Sequence, residues 1–277
     1  MERMRIVIIC GGESKRFGGN KLLAKINDKR VIERVFDLAL RYTDEVYFSI
    51  KNDRQLELYS KVLGLSKEQF IIDHPNFPNS PLNGFLTAIF GHGLENVLFI
   101  PGDSPWVSQD TFERLIRELS KAEILSTLIW GNGQLENMWL YYKCGLDIEI
   151  YELYDGINMR RRATDLLRIS TSTLYVPVSK ITDNPREFSD IDYISDLHNS
   201  RIEGELYGPI DDTIEIKHSC IYANPFYRAL RHLKAGNLDS AIRYLYLEME
   251  YYLKEGIMHI ISHIARDIFE AIETYKS

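Results

Sequence analysis

Ile6-Val7-Ile8-Ile9-Cys10-Gly11-Gly12-Glu13-Ser14-Lys15-Arg16-Phe17-Gly18-Gly19-Asn20-Lys21 runs an apolar stretch straight into a glycine-rich, cationic loop. Ile6 to Cys10 reads as a buried strand, so the loop lies at that strand's C-terminal edge, where open α/β sheets hold their ligands. Adjacent glycines let backbone N–H groups come close to phosphate oxygens without interference from a Cβ. Arg16 and Lys21 add positive charge suited to a triphosphate, and Ser14 adds a hydroxyl. Two familiar phosphate loops fail on spacing. The P-loop needs four residues between its glycines and a lysine directly after the second, and the GxGxxG dinucleotide fingerprint does not have its glycines in adjacent pairs. A plain Gly-rich connection with two solvated cations is the competing reading.

Outward from this loop, strand-like runs alternate with helical patterns as far as residue 197, as expected for an α/β sheet. Further strands are predicted at Val46–Ile50, Phe70–Ile72, Val97–Ile100, Ile124–Ile129, Met138–Lys143 and Leu174–Pro177. Helices are predicted at Val31–Tyr42, Asp53–Leu63, Phe85–Phe90 and Asp110–Leu119. Beyond Leu197 the pattern changes. Residues 199–221 are mixed and polar, and three helices are predicted after them at Pro225–Lys234, Leu238–Lys254 and Ile257–Tyr275, punctuated by Gly236-Asn237 and Gly256. The expected division is an α/β domain over residues 1–198 and a mixed linker with a small C-terminal helical domain over residues 199–277.

A chain of 277 residues, 45% of them hydrophobic, is long enough for one large domain plus a smaller one. Its 33 basic and 40 acidic residues leave a formal net charge of −7, which argues against nucleic acid or an anionic membrane as the main partner. No stretch approaches the roughly 20 apolar residues that span a bilayer. Cys10, Cys144 and Cys220 lie far apart and form no CxxC pair, which argues against a disulfide framework or a cysteine-based zinc site. The first apolar run is short and meets Gly11-Gly12 at once, so it reads as a strand rather than a leader, and a cytoplasmic protein is expected.

In Val97-Leu98-Phe99-Ile100-Pro101-Gly102-Asp103-Ser104-Pro105, an apolar strand delivers Asp103 to its C-terminal end. A carboxylate there is placed to hold Mg²⁺ between phosphate groups. The alternative is a helix cap, a role that Ser108 and Asp110 suit better. Ser80-Pro81-Leu82-Asn83-Gly84 reads as a Pro/Asn turn entering a helix. Arg160-Arg161-Arg162 precedes another helical stretch; arginine binds phosphate bidentately, although arginines at a helix start are also common on surfaces. Asp190, taken by itself, reads as an exposed acid in a turn.

The pattern GGxSxRxGxxK over Gly11–Lys21 resembles the signature of the MobA-like nucleotidyltransferases, in particular the molybdenum cofactor guanylyltransferases. Cys10 stands where that family carries Ala, and Gly11 as the second small residue points to guanine. Val97–Pro105 resembles the family's strand–CDxP motif. Asp73 and Ser80–Gly84 resemble its GPLAG-type loop and the aspartate before it, with Ser80 for Gly and Asn83 for Ala. Phe188-Ser189-Asp190-Ile191-Asp192, followed by Asp196-Leu197, resembles its FxNIN…EDL segment, with Asp190 and Asp192 in place of asparagines. Arg160–Arg162 after Gly156 resemble its arginine-bearing helix. The resemblance spans residues 5–197 and leaves the tail outside.

What the resemblance implies is a Rossmann-like, mostly parallel α/β fold and an enzyme that moves GMP from GTP to the phosphate of molybdopterin, releasing pyrophosphate. It implies nucleotide binding by Cys10, Gly11, Gly12, Ser14, Gly18, Lys21, Asn52, Asp73, Leu82 and Gly84. It implies catalytic roles for Arg16, Lys21 and Asp103, Mg²⁺ on Asp103 and Asp190, and acceptor binding by Arg160, Arg161 and Arg162. Glu136-Asn137 stand where the family has a Pro-containing segment, so the acceptor stays open. Two alternatives remain: a cytidylyl- or uridylyltransferase acting on a sugar or alcohol phosphate, and a non-catalytic nucleotide sensor that signals through the tail.

His259 and His263 are one helical turn apart, but HIISH lacks the Glu of HExxH and no third ligand is evident, so structural or surface histidines are expected. Ile242, Tyr244, Leu245, Met249, Tyr252 and Leu253 give the tail much apolar surface. Part of it is expected to pack within the bundle, and the rest against the α/β domain, a second subunit or a partner protein.

Overall fold

The strand read from Ile6 lies in the interior of an eight-stranded sheet in the computed structural model. The structure describes residues 4–276 except 13, 15, 78, 79, 148, 150–152, 154–156, 158, 159 and 199–203. In chain order the strands are β1 (Arg5–Ile9), β2 (Lys25–Ile26), β3 (Lys29–Arg30), β4 (Val46–Ile50), β5 (Phe70–Ile72) and β6 (Val97–Pro101), then β7 (Leu125–Ile129), β8 (Leu135–Tyr142), β9 (Ser172–Pro177) and β10 (Ile214–Lys217). β2 and β3 form a separate small hairpin, and the main sheet has the order β10-β9-β7-β8-β6-β1-β4-β5. β5, β4, β1 and β6 are mutually parallel, as are β7 and β9. β8 runs antiparallel to both β6 and β7, and β10 antiparallel to β9.

The helices are α1 (Val31–Leu40), α2 (Asp53–Leu63), α3 (Leu82–Leu86), α4 (Gln109–Leu119), α5 (Thr164–Ile169), α6 (Pro225–Lys234), α7 (Leu238–Lys254) and α8 (Met258–Lys276). Alternation along the strands feeds two cores. Ile6, Ile8, Phe48, Leu98 and Ile100 join α1, α2 and α4 on one face, while Val7, Val97 and Phe99 join α3, α5 and the three tail helices on the other. Side chains buried on both faces make these strands near-continuous apolar runs, as parallel sheets require. No described helix is long and apolar enough to cross a membrane.

The tail is built into this architecture. The stretch read as a polar linker supplies the edge strand β10, which pairs with β9. Two backbone contacts pin it to the β7–β8 hairpin: Gly131 N–H donates to the Glu205 carbonyl (2.8 Å) and Ile210 N–H to the Gly131 carbonyl (3.2 Å). The tail's Ile257, Ile260 and Ile264 share a core with Leu135 and Leu140 of β8. The two histidines sit at this junction. His259 Nδ1 accepts from Leu135 N–H (3.2 Å), and the His263 ring nitrogen lies 2.7 Å from the Thr164 hydroxyl.

Candidate active site

β1 turns outward to β4 and β5 on one side, and the chain later returns as β6 on the other side of β1. The crevice at that reversal, at the carboxyl ends of the strands, is where open α/β sheets bind ligands. β1 and β6 pair from Arg5↔Val97 to Ile9↔Pro101, so the loops leaving them start side by side. Glycine suits this close approach: a Cβ on Gly102 would lie 3.0 Å from both Cys10 Sγ and the Ile9 carbonyl oxygen. Gly102 N–H donates to that carbonyl (3.0 Å), and Cys10 N–H donates to the Ser49 carbonyl of β4 (2.7 Å).

The first loop folds back on itself. Phe17 N–H donates to the Ser14 carbonyl (3.1 Å), and Lys21 N–H to Ser14 Oγ (3.4 Å). Asn20 caps the short turn Lys21–Leu23 by accepting from Leu22 N–H (3.1 Å), and its amide donates to the Tyr59 hydroxyl on α2 (3.0 Å). Lys21 is thereby rooted on ordered backbone.

The result is a cleft of about 470 Å³. Cys10, Gly11, Gly12, Ser14 and Lys21 line it from the first loop, and Ser49, Lys51 and Asp73 from the ends of β4 and β5. Ile9, Leu22, Ser80, Pro81, Gly84, Pro101, Asp103, Met138 and Asp190 complete the wall. Such a mixed lining, with a few convergent charges, is usual for a small-molecule site. Ser80 Oγ is buried without a hydrogen-bond partner among the described residues.

Charge converges on Lys21. Its ammonium is ion-paired with Asp103 and lies 3.1 Å from Asp192 Oδ1, while Arg16 lies 2.8 Å from Asp192 Oδ2. Burial works against the Lys21 ammonium, but Asp103 and then Asp192 outweigh it and hold its pKa above the ordinary lysine value. For Asp192, burial is likewise outweighed, here by Lys21 and Arg16, and its carboxyl is held below the usual range. Asp190 goes the other way. Burial first, then the charges of Asp103 and Glu136, push it well above the carboxylate range, although it accepts a hydrogen bond from Ser104. Burial, with Asp103 adding to it, also raises the Cys10 thiol, which stays protonated and packs as a small apolar group.

The donor chemistry fits a divalent metal. Asp103 and Asp190 present hard oxygen donors to one cleft, and a bound cation would favour the ionised form of Asp190 that burial and Asp103 disfavour. Among the described residues no group of three or more His, Cys, Asp or Glu could hold a metal ion.

Most of the residues singled out in the sequence meet here: Cys10, Gly11, Gly12, Ser14, Lys21, Asp73, Gly84, Asp103 and Asp190 all line the cleft. Arg16 is close by through Asp192. Asn52 is displaced. It caps α2 by accepting from Gln55 N–H (3.1 Å) and lines a neighbouring hollow with Gly12, Ser14 and Lys51. Leu82, the first residue of α3, is buried in the core, and Gly18, at a φ of 75°, shapes the loop's turn without lining the cleft.

The arginine triplet lies away from this cleft. Arg162 is buried against Asp267 of α8 (2.5 Å), the Arg160 N–H donates to Glu270 of the same helix (3.1 Å), and an Arg161 guanidinium N–H donates to the Ile157 carbonyl (3.4 Å). None of the three lines the cleft. Carboxylates of the tail hold the segment, and nothing in the local sequence announces so distant a partner. Gly156 lies outside the described residues. Lys51 and Asp192, in turn, were not singled out as site residues. The position of Lys51 directly after β4, at the same sheet edge as the first loop, is the signal that could have found it.

Comparison with known proteins agrees with this geometry. Residues 6–244 match the MobA-like NTP transferase domain. A Vibrio parahaemolyticus protein named molybdenum cofactor guanylyltransferase is 28% identical over 192 residues, which is 69% of this chain and 91% of that protein. An Aquifex aeolicus protein named as a probable molybdenum cofactor guanylyltransferase is 30% identical over 128 residues, 44% of this chain; the match spans only 60% of that relative's length. The crystal structure of molybdopterin-guanine dinucleotide biosynthesis protein A from Archaeoglobus fulgidus shares the fold, with a TM-score of 0.55 at 19% identity, over 71% of this chain and 96% of that one. A match this long, on a sheet whose switch point carries the matching loops, makes the chain an enzyme of the nucleotidyltransferase class, and it belongs to the MobA-like NTP transferase domain family.

Proposed function

We propose that the cleft transfers GMP from GTP to the phosphate of molybdopterin and releases pyrophosphate. The observation that carries this reading is the meeting of the Cys10–Ser14 loop, Lys21, Asp103 and Asp190 in one crevice at the switch point of the sheet. The names of the relatives favour guanine and molybdopterin over other substrates. Residues 1–198 carry the chemistry on this reading, and residues 199–277 brace it.

The acceptor's phosphate oxygen forms a bond to the α-phosphorus as the bond from that phosphorus to the β-phosphate oxygen breaks. A phosphate monoester has a second pKa of about 6, so the nucleophile is already dianionic at neutral pH and no general base is needed. Backbone N–H groups of Gly11 and Gly12 take phosphate oxygens, while Lys21 and Arg16 neutralise the departing pyrophosphate. Asp103, with Asp190, would hold Mg²⁺, which supplies charge neutralisation on the phosphates when bound. Asp73, directly after β5, receives the base.

The test is calorimetric binding of GTP and CTP with and without Mg²⁺, followed by pyrophosphate release in the presence of molybdopterin, on the wild type and on Asp103→Ala. Mg²⁺-dependent GTP binding and pyrophosphate release, both lost in the variant with its melting temperature kept, is the expected result. A preference for CTP would overturn the guanylyl assignment. Binding without pyrophosphate release would leave a sensor in place of a transferase.

A further inference from the structure

Asp192 sits where a bound polyphosphate should be. Each of its two carboxylate oxygens engages a different cation of the first loop: Oδ2 lies 2.8 Å from Arg16 and Oδ1 3.1 Å from Lys21. A phosphate would bridge the same two side chains in the same way.

The carboxylate is held from behind by rigid structure. Asp192 N–H and Tyr193 N–H both donate to the buried Asp196 carboxylate, at 3.0 and 2.7 Å. Ile191 N–H donates to the Asp103 carbonyl (2.9 Å), which ties the segment to the loop after β6. The Asp192 side chain is freer than its backbone, being 39% exposed, and so is Arg16 at 69%. Lys21, at 13%, is not. An ion pair between exposed partners would be worth little, but one that shares a desolvated ammonium must be broken before another anion can use it.

We propose that Asp192 is a resident anion: it holds Arg16 and Lys21 in the phosphate-binding arrangement while the cleft is empty, and an incoming polyphosphate must displace it. This rests on reading the cleft as a triphosphate site. Two consequences follow. Ordering two long cationic side chains in advance removes part of the entropy lost on binding. The displaced carboxylate then lies close to the bound phosphates, weakens their hold by repulsion, and competes for the same cations when pyrophosphate leaves. Asp192 is thus a positioning residue that sets affinity and product release without touching the reacting phosphorus.

The experiment uses inorganic tripolyphosphate, which carries the charge and no base, titrated calorimetrically without metal into the wild type, Asp192→Asn and Asp192→Ala. Asn keeps the shape and the backbone bonds to Asp196, and the melting temperature checks the fold. Both variants are expected to bind about fivefold to tenfold more tightly at low ionic strength. The gain should shrink as salt approaches about 1 M, where the screening length is about 3 Å. Unchanged or weaker binding in folded Asp192→Asn overturns the proposal, as does failure of every protein to bind. A repeat with Mg²⁺ separates a metal-ligand role: affinity lost in the variant only when the metal is present would also overturn it. If tripolyphosphate shows the gain while no protein binds GTP, the resident anion stands and the nucleotide reading falls.

Discussion

Asp73 ends the cleft at β5 with a carboxyl that burial pushes up to about 6, against a smaller downward pull from Lys51. Its backbone is fixed by a bond from its N–H to the Ile50 carbonyl (2.8 Å). The two states of the chain weigh its charge differently. An unfolded aspartate titrates near ~4, so the folded pKa lies above the unfolded one. Such a group favours folding below about pH 4, and that contribution is lost as pH rises through about 6. On the proposed function, in which Asp73 receives the base, nucleotide binding runs the other way, because an ionised Asp73 is the better acceptor. GTP affinity should therefore rise severalfold from about pH 5 to about pH 7 while this residue's share of stability declines. Asp73→Asn is expected to flatten both trends, read by calorimetry and by melting temperature across that range. A wild-type affinity that is level with pH would remove Asp73 from the base site. Asp73 could be named from the sequence through the resemblance of its segment to the family's loop. Its pKa could not, since that depends on how deeply neighbouring loops bury it.

At the scale of elements, the β7–β8 hairpin is the piece that joins cleft and tail. Met138 of β8 lines the cleft, and the hairpin's turn at 131–133 receives the tail. His259 N–H donates to the Gly133 carbonyl (3.1 Å). Gly133 has a φ of 82°, and a Cβ there would overlap the Gly256 carbonyl oxygen and lie 2.9 Å from Met258 N. Both offending atoms are backbone, so neither can rotate away. Gly133→Ala should cost about 2–3 kcal/mol in urea denaturation, from strain at positive φ plus overpacking. A loss under about 0.5 kcal/mol, the size of an ordinary surface substitution, would mean that the tail does not press on this turn. The α4 cap shows the same cooperation. Ser108 accepts from Thr111 N–H (3.3 Å), while Glu187, far along the chain, accepts from Ser108 N–H (2.9 Å) and the Thr111 hydroxyl (2.7 Å). The serine cap is readable in sequence, and the distant glutamate is not.

Over the whole molecule, a buried charge network ties the sheet's flank to the tail. Arg168 of α5 has a fully buried side chain that meets Glu248 of α7 through two bonds (2.7 and 2.8 Å), Asp267 of α8 (2.6 Å) and Asp165 (3.3 Å). Its guanidinium also lies 3.7 Å from the centre of the Phe226 ring of α6. One side chain thus contacts all three tail helices. Burial, with help from neighbouring acids, lifts Asp165 to about 6 and Glu248 to about 7, so carboxylate charge is already in surplus there. Arg168→Met would leave these acids without their main cation and should cost about 3–5 kcal/mol. Urea denaturation measures the loss, and hydrogen exchange should show residues 225–276 opening before the sheet. Exchange that rises evenly over the whole chain would contradict a tail held by this contact.

The apolar runs, their spacing and the turn residues between them were enough to place every strand of the main sheet except β10, and the longer helices, because those periods depend only on which faces are buried; the two-residue strands β2 and β3 are too short to show a period. The same runs also placed the first loop and Asp103, since strand ends in a parallel sheet share one edge. Three things needed the tertiary structure. β10 has too few apolar residues to declare itself and exists because β9 offers an open edge. The tail joins the sheet's own core because Gly131, Gly133 and Gly208 let backbones approach, which no local pattern encodes. Arg160 and Arg162 meet carboxylates of α8, and Asp192 meets Arg16 and Lys21, across more than a hundred residues of chain, and only folding decides which such partners arrive.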